Sequence, residues 1–85
     1  MMKKGEKSPE DIKYLLGNMG IEILYAIEKG AKDIETIKLF SGVSMECIKG
    51  RLPVLMDLNL IEKKEKGFSL TLKGYDFKKR IEKSD

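Results

Sequence analysis

The side chains best suited to chemistry in this chain are cations, and they are concentrated in its second half. Residues 49–85 hold 10 Lys or Arg against 6 Asp or Glu, whereas residues 1–48 hold 7 against 8. Five of these cations stand in two short segments: Lys49, Arg51, Lys63, Lys64 and Lys66. Guanidinium groups donate paired hydrogen bonds to guanine or phosphate, and ammonium groups bind phosphate as point charges. The pattern therefore favours a polyanionic partner.

Acidic residues beside these cations leave a second interpretation open. Glu62 and Glu65 alternate with the lysines of the second segment and remove more than half of its charge. Both segments can also be read as solvated surfaces, and a charged hairpin is one way to protect an exposed strand edge from aggregation. Glu46 would repel phosphate, although its carboxylate could accept a hydrogen bond from a cytosine amino group.

Three helices are predicted to lead to and carry the first cationic segment. Ser8, followed by proline and two acids, is typical of a helix start, and Gly17 predicts a break or bend inside this first helix. Asp33 is placed to cap a second helix that ends at Gly42. Ser44 is placed to cap the third helix.

The third predicted helix is amphipathic. Its apolar stripe recurs at i, i+4 and i+7: Ile48, Leu52 and Leu55. Asn59 is expected to close the helix in the left-handed conformation that asparagine tolerates. Pro53 removes the helical hydrogen bond to the carbonyl of Lys49, so with Gly50 nearby it predicts a bend over residues 49–53.

Beyond Leu60 the apolar pattern changes from helical to alternating, which predicts a β-hairpin. Its tip is expected at Glu65-Lys66-Gly67, where Gly67 offers the positive φ that such turns need. One face of the returning strand is predicted to carry Phe68, Leu70 and Leu72. Thr71 or a neighbour should cap a last helix. The incomplete apolar stripe of that helix comprises Tyr75, Phe77 or Lys78, and Ile81.

Length and composition bound the class of protein. The 85 residues, 41% hydrophobic and 36% charged, suffice for one domain, predicted at residues 9–85 after a flexible tail at residues 1–8. No apolar run approaches the roughly 20 residues that span a bilayer, so a cytoplasmic protein is expected. The chain has one cysteine and no histidine. We therefore expect no metal, no cofactor and no enzymatic activity.

Three segments carry a resemblance to a known family: LLGNMGIEILYAIEKG, DIETIKLFSGVSMECIKGRLPVLMDLNLI and FSLTLKGYDF. They are similar to the winged helix-turn-helix domains of ArsR-, MarR- and PadR-type transcription regulators, particularly archaeal ones. The most specific pieces are Gly42-Val43-Ser44 at the turn, the residues Leu52, Leu55, Leu60 and Ile61 that lead to the wing, and Leu70-Thr71 with Lys73-Gly74 after it. The resemblance implies an α+β, mainly α fold with three N-terminal helices, a β-hairpin wing and a C-terminal helix.

The resemblance also implies how double-stranded DNA would be bound. In such domains the recognition helix, here residues 44–58, lies in the major groove, and the wing, here residues 61–72, rides on the flanking backbone. The DNA-binding residues implied by position are Ser44, Met45, Glu46, Cys47, Lys49, Gly50, Arg51, Lys63, Lys64 and Lys66. Among them, Arg51 is the best candidate to read a guanine.

A homodimer is a further expectation, because regulators of this type usually read two half-sites as dimers. The apolar residues available for a dimer surface are Ile12, Leu15, Leu16, Tyr75, Phe77 and Ile81. The same residues could instead complete the core of a monomer.

Several residues depart from the family pattern and keep an alternative open. Pro53 and Val54 stand where many such proteins have basic or polar residues that touch the DNA backbone. Together with Leu39 and Met56 they would suit a protein-binding winged helix that serves as a module of a larger assembly. Cys47, third in the recognition helix, is interpreted as a small, partly buried residue at a helix start. A thiol redox switch is the alternative, although the chain offers no second cysteine to resolve an oxidised form.

Overall fold

The first helix, α1, spans Pro9–Glu28 and begins at a reciprocal cap. In this computed structural model, which describes residues 8–83, the Asp11 amide donates to the Ser8 hydroxyl at 3.1 Å. The Ser8 amide in turn donates to the Asp11 carboxylate at 3.4 Å. The two bonds satisfy N–H groups that a helix start leaves without helical partners, and they confirm the predicted start. Most of the predicted tail, residues 1–7, lies outside the described residues, as do residues 84–85.

A kink interrupts α1 at Gly17, whose φ of 66° and ψ of 180° are not helical. The predicted break is therefore confirmed at a residue that reaches this conformation without a steric penalty. Ile12 and Leu16 before the kink are buried, whereas Leu15 and Met19 are about half exposed. The buried side chains after the kink include Ile23, Leu24 and Ile27. Both halves of α1 nevertheless contribute side chains to the same core.

The second and third helices are capped as predicted. α2 spans Ile34–Ser41 and α3 spans Met45–Asp57. The Asp33 carboxylate accepts from the Thr36 amide at 2.8 Å, and the Ser44 hydroxyl accepts from the third amide of α3 at 3.3 Å. Each cap satisfies an amide that the first helical turn leaves without a backbone acceptor.

The end of α3 also follows the prediction. Asn59 has a φ of 61°, the only positive φ of a non-glycine residue in the described part of the chain. The chain reversal at Asn59 lets the Leu60 amide donate to the Leu55 carbonyl at 3.0 Å, which closes the helix. Leu60 then enters the core and directs the chain into the hairpin.

The hairpin consists of strand β1, Ile61–Lys64, and strand β2, Gly67–Leu70. The strands are antiparallel and paired in register, and residues 65–66 form the turn between them. Gly67 has a φ of 124°, which confirms the positive φ predicted for the tip. Because so short a hairpin is marginally stable on its own, its position depends on contacts with the helices.

The last helix, α4, spans Leu72–Lys83 and corrects one prediction. The Thr71 hydroxyl accepts from the Gly74 amide at 3.0 Å and donates to the Asn59 carbonyl. This cap ends the strand at residue 70. Leu72 therefore does not continue the alternating face of β2, as predicted, but lies in the first turn of α4 with its side chain 89% exposed.

One hydrophobic core lies between the four helices and the inner face of the hairpin. α1 contacts α2, α3, α4 and β2, so the other elements pack around it. The side chains buried most completely are Leu16, Ile23, Leu24, Ile37, Ile48, Leu55 and Leu60. The predicted stripe of the third helix is confirmed, as is the α+β, mainly helical architecture. Within residues 8–83, no helix combines the length and the apolar character needed to cross a bilayer.

Most of the residues predicted for a dimer surface belong to this core. The buried ones are Ile12, Leu16, Phe77 and Ile81. Only Leu15 and Tyr75 of that set remain about half exposed. The alternative interpretation, that these side chains complete the core of a monomer, therefore holds for four of the six residues. Because they are buried within one chain, they cannot contact a second copy of the protein.

Two helical glycines are predicted to respond in opposite directions to alanine. A Cβ atom on Gly74 would overlap the Leu60 carbonyl oxygen, whereas on Gly50 it would meet nothing within 4 Å. We expect Gly74→Ala to lower the free energy of unfolding by about 2 kcal/mol. We expect Gly50→Ala to raise it by about 0.5 to 1 kcal/mol. Urea unfolding measures both changes, and equal effects of the two substitutions would contradict the close packing at Gly74.

Candidate nucleic-acid interface

The turn between α2 and α3 is fixed by short polar contacts. Gly42 adopts the left-handed conformation, with a φ of 74°. The Ser41 hydroxyl donates to the Ile37 carbonyl at 2.6 Å and accepts from the Val43 amide at 3.1 Å. Val43 is buried, so the turn is also anchored in the core. These contacts set the direction in which α3 leaves α2 and bring Ser44 to the surface.

One side of α3 is buried and the other is exposed. The buried side is Ile48, Leu52 and Leu55. Among the residues predicted to face DNA, the exposed ones are Ser44, Glu46, Lys49 and Gly50, and the half-buried ones are Met45, Cys47 and Arg51. The recognition helix thus carries all of its predicted residues at or near the surface of the domain.

The two cations of α3 do not share one face. An α-helix turns by about 100° per residue, so residues two apart point in nearly opposite directions around its axis. Lys49 and Arg51 therefore flank the exposed side of α3 on its two edges. The middle of that side carries Glu46, Gly50 and Pro53, with no cation among them. The helical geometry thus separates the two cations of α3.

Pro53 lies inside α3 without interrupting it. The helix runs continuously over Met45–Asp57. Because proline has no N–H, the carbonyl of Lys49 lacks its usual helical donor. The bend predicted over residues 49–53 is thus not accompanied by a break in the helix.

The lysines of the wing are held by different partners. Lys63 lies on the inner face of the hairpin, with its ammonium 5.7 Å from the centroid of the Phe68 ring. Lys64 lies on the outer face, 3.6 Å from the carboxylate of Glu62. Such an exposed ion pair stabilises little, but it lowers the net charge of that face. Lys66 is exposed in the turn.

A backbone contact joins the wing to the loop before α2. The Phe68 amide donates to the Lys32 carbonyl at 3.1 Å. Gly67 permits this approach, because a Cβ atom there would lie 2.6 Å from the Lys32 Cβ and would overlap the Lys32 carbonyl oxygen. The contact creates an open cleft of about 570 Å³ between residues 32–35 and residues 63–68.

Lys32 is a candidate DNA-binding residue that the sequence did not reveal. It stands in an irregular loop directly before the cap of α2, outside both the recognition helix and the wing. Its exposed side chain lines the same cleft as the wing lysines. The local sequence offers no signal for this placement, because it results from pairing with a strand far along the chain.

Asp33 contributes a negative charge at the same cleft. The hydrogen bond from the Thr36 backbone amide holds the pKa of the Asp33 carboxyl below its ordinary value of 3.8. A lowered folded-state pKa means that the cap stabilises the fold at neutral pH and loses this effect as pH falls through that pKa. Asp33 and Glu35 therefore offset part of the positive charge that Lys32 and the wing bring to the cleft.

Two basic residues of α4, Lys78 and Arg80, are already engaged by carboxylates. Burial lowers the pKa of Lys78, but Glu28 and Glu82, each 3.6 Å away, outweigh it, so this pKa lies above its ordinary value. Arg80 donates to the Asp76 carboxylate at 2.9 Å. The charge excess of the second half of the chain is thus partly neutralised on α4.

Cys47 is half-buried and packs against the core. Its amide donates to the cap of α3, as described above. The thiol redox switch stays a prediction.

In the part of the chain that the structure describes, no three His, Cys, Asp or Glu side chains are grouped as a metal ion would require.

The order of elements and their packing define a winged helix-turn-helix domain: three helices, a hairpin and a closing helix. No family model matches the sequence. The chain is 40% identical over 75 residues to an uncharacterized HTH-type transcriptional regulator of Methanocaldococcus jannaschii. This similarity covers 81% of the chain and 71% of the relative. The chain therefore belongs to the helix-turn-helix (HTH) type transcriptional regulators.

The contact between the wing and the loop can be tested with two glycines that both have positive φ. We expect Gly42→Ala to cost about 1 to 2 kcal/mol, because its strain is conformational only and a Cβ atom there meets nothing within 4 Å. We expect Gly67→Ala to cost more and to accelerate hydrogen exchange of the Phe68 amide, because the added methyl displaces the Lys32 backbone. Unchanged exchange at Phe68 would show that the close approach is unnecessary.

Proposed function

We propose that this protein regulates transcription by binding duplex DNA. In this proposal the recognition helix, α3 with its flanking caps (residues 44–58), lies in the major groove. The wing region (residues 61–72) contacts the flanking backbone. The observation that carries the proposal is the exposed, capped first half of α3, whose opposite side is anchored in the core.

The two cations on opposite edges of α3 suit the major groove, which has a phosphate backbone on each side. The major groove is about 12 Å wide and admits one helix, so the edges of that helix approach the phosphates on either side. In this proposal Lys49 and Arg51, on opposite edges of α3, each contact the phosphate backbone on one side of the groove. The reading of a guanine by Arg51 stays a prediction, and its position at the edge favours phosphate instead.

The middle of the exposed side would then face the base edges. Gly50 has no side chain and open space around it, which lets the helix backbone approach the floor of the groove. Glu46 can accept a hydrogen bond from a cytosine amino group. Met45, half-buried toward one edge of α3, could reach only a base at that side of the groove. The amides that follow Ser44 are oriented for a phosphate at the helix start.

The wing adds contacts beyond the groove. Lys64 and Lys66 are exposed on the outer face and at the turn, within reach of a phosphate backbone. Lys63 is held over Phe68, so its ammonium has less freedom to lose on binding. The nearby acids reduce the net attraction, and we therefore expect few phosphates to be neutralised and a shallow dependence of affinity on salt.

The proposal includes the ArsR-, MarR- or PadR-like archaeal subtype, a cytoplasmic location and a homodimer. Support for the dimer comes from apolar side chains that stay exposed on α1 and α4. These are Tyr14, Leu15, Met19, Leu72 and Tyr75. A dimer would place two recognition helices at half-sites about one turn of DNA apart.

One observation favours the alternative of a protein-binding module. Leu39 is 80% exposed on α2, and Pro53 is exposed at the middle of the outer side of α3. Val54 and Met56 add less exposed apolar surface, because both are half-buried against the core. A partner protein could cover this surface in a larger assembly.

A binding titration across salt concentrations tests the proposal. We expect the folded protein to bind mixed-sequence duplex DNA at low salt and the double variant Lys49→Ala, Arg51→Ala to lose that binding. The matched control is Lys13→Ala with Lys79→Ala, which removes the same charge from other surfaces. Fluorescence anisotropy with labelled duplex measures all three proteins.

Two outcomes of this titration would contradict the proposal, and the single variant Arg51→Ala adds a further test. If the wild-type protein folds but binds no duplex, the DNA proposal fails and the protein-binding alternative gains. If both double variants lose affinity equally, DNA binding depends on the overall charge of the protein and not on Lys49 and Arg51 in particular. For Arg51→Ala alone, phosphate contact predicts a uniform loss across DNA sequences, whereas guanine reading predicts relaxed preference at one base pair.

A further inference from the structure

We propose that the cleft between the wing and the α1–α2 loop (residues 29–33) binds a phosphate of the DNA backbone. Lys32, Lys64 and Lys66 would be its cationic ligands. The inference rests on the proposed function and adds to it a site in which a residue outside the recognition helix and the wing takes part.

Three lysines from two separate parts of the chain converge on one hollow. Below the turn of the hairpin, this hollow of about 450 Å³ is lined by Lys32, Lys64, Glu65, Lys66, Gly67 and Ser69. Glu65 is the single carboxylate among these residues. The hollow therefore carries a net positive charge, in contrast to the wider cleft around it, where Asp33 and Glu35 also contribute.

A backbone contact fixes the distance between the two segments that line the hollow. The hydrogen bond from the Phe68 amide holds the Lys32 backbone against β2, at 3.1 Å between nitrogen and oxygen. Gly67, with its φ of 124° and no side chain, leaves room for this approach. Lys32 therefore begins from a fixed point beside the wing, and only its side-chain torsions remain to be ordered on binding.

The groups around the hollow include donors that lack an acceptor. Among the described residues, no carboxylate lies within 4.0 Å of the Lys32 or Lys66 ammonium, whereas Lys64 has Glu62 at 3.6 Å. A phosphate oxygen would supply the missing negative charge to the ammonium groups of Lys32 and Lys66, and charge-assisted hydrogen bonds of this kind are strong.

The shape of the hollow is compatible with a polymer. It is open to solvent and not an enclosed cavity, so a sugar-phosphate strand can pass across it. It also adjoins the domain surface that carries the wing lysines. Free phosphate and nucleotides share the same chemistry, and the experiment below distinguishes them from DNA.

Salt-dependent binding of three single variants tests the site. Lys32→Ala should reduce the magnitude of the negative slope of log K against log salt by about 0.9, which corresponds to one lost phosphate contact. Lys79→Ala, an exposed lysine on α4, is the matched control and should leave the slope unchanged. Glu65→Gln should increase the affinity, because it removes the carboxylate from the hollow. Circular dichroism confirms that each variant is folded.

Each outcome decides the inference. If the wild-type protein binds duplex DNA and Lys32→Ala behaves as Lys79→Ala does, the site is wrong and the proposed function stands. If the folded protein binds no duplex, the proposed function fails and titration with sodium pyrophosphate tests the hollow alone. Amide shifts confined to residues 32–35 and 64–69 would then support an anion site for a small phosphate. Shifts spread evenly over the chain would overturn it.

Discussion

The hydrogen bond from the Phe68 amide to the Lys32 carbonyl is the contact on which the proposed interface depends. Two strands of four residues cannot hold a position in water by themselves, so the wing takes its place from the helical body. Gly67 permits the contact on one side of the hairpin. On the other side, the Thr71 amide donates to the Leu60 carbonyl at 3.1 Å. These backbone contacts bring lysines that are distant in sequence to one surface.

The periodicity of α3 is the second constraint on function. A stripe of buried leucine and isoleucine fixes which residues face outward, and the residues between them cannot all share one direction. Lys49 and Arg51 are consequently divided between two edges, with Glu46 and Gly50 between them. The major groove has phosphates on both sides and base edges between them, so it matches this arrangement of cations better than a flat polyanion does. Family membership agrees with such a partner, since the relative is named as a transcriptional regulator.

Local signals made much of the fold predictable. The caps at Ser8 and Ser44, the kink at Gly17 and the left-handed Asn59 each depend on a few neighbouring residues, and the structure confirms them. Contacts between distant segments were not predictable in the same way. The placement of Lys32 beside the wing follows from strand contacts that no short motif encodes. Similarly, apolar character alone could not distinguish side chains that fill the monomer core from those that remain exposed to a partner.

The measurement that tests the joint surface most directly is an NMR titration of the ¹⁵N-labelled protein with duplex DNA. If the recognition helix, the wing and the loop before α2 bind one duplex together, amide shifts will cluster in three ranges: residues 32–35, 44–50 and 63–69. The three clusters will also titrate with a single dissociation constant. Amide shifts confined to α1 and α4, with none in those three ranges, would contradict the proposed interface.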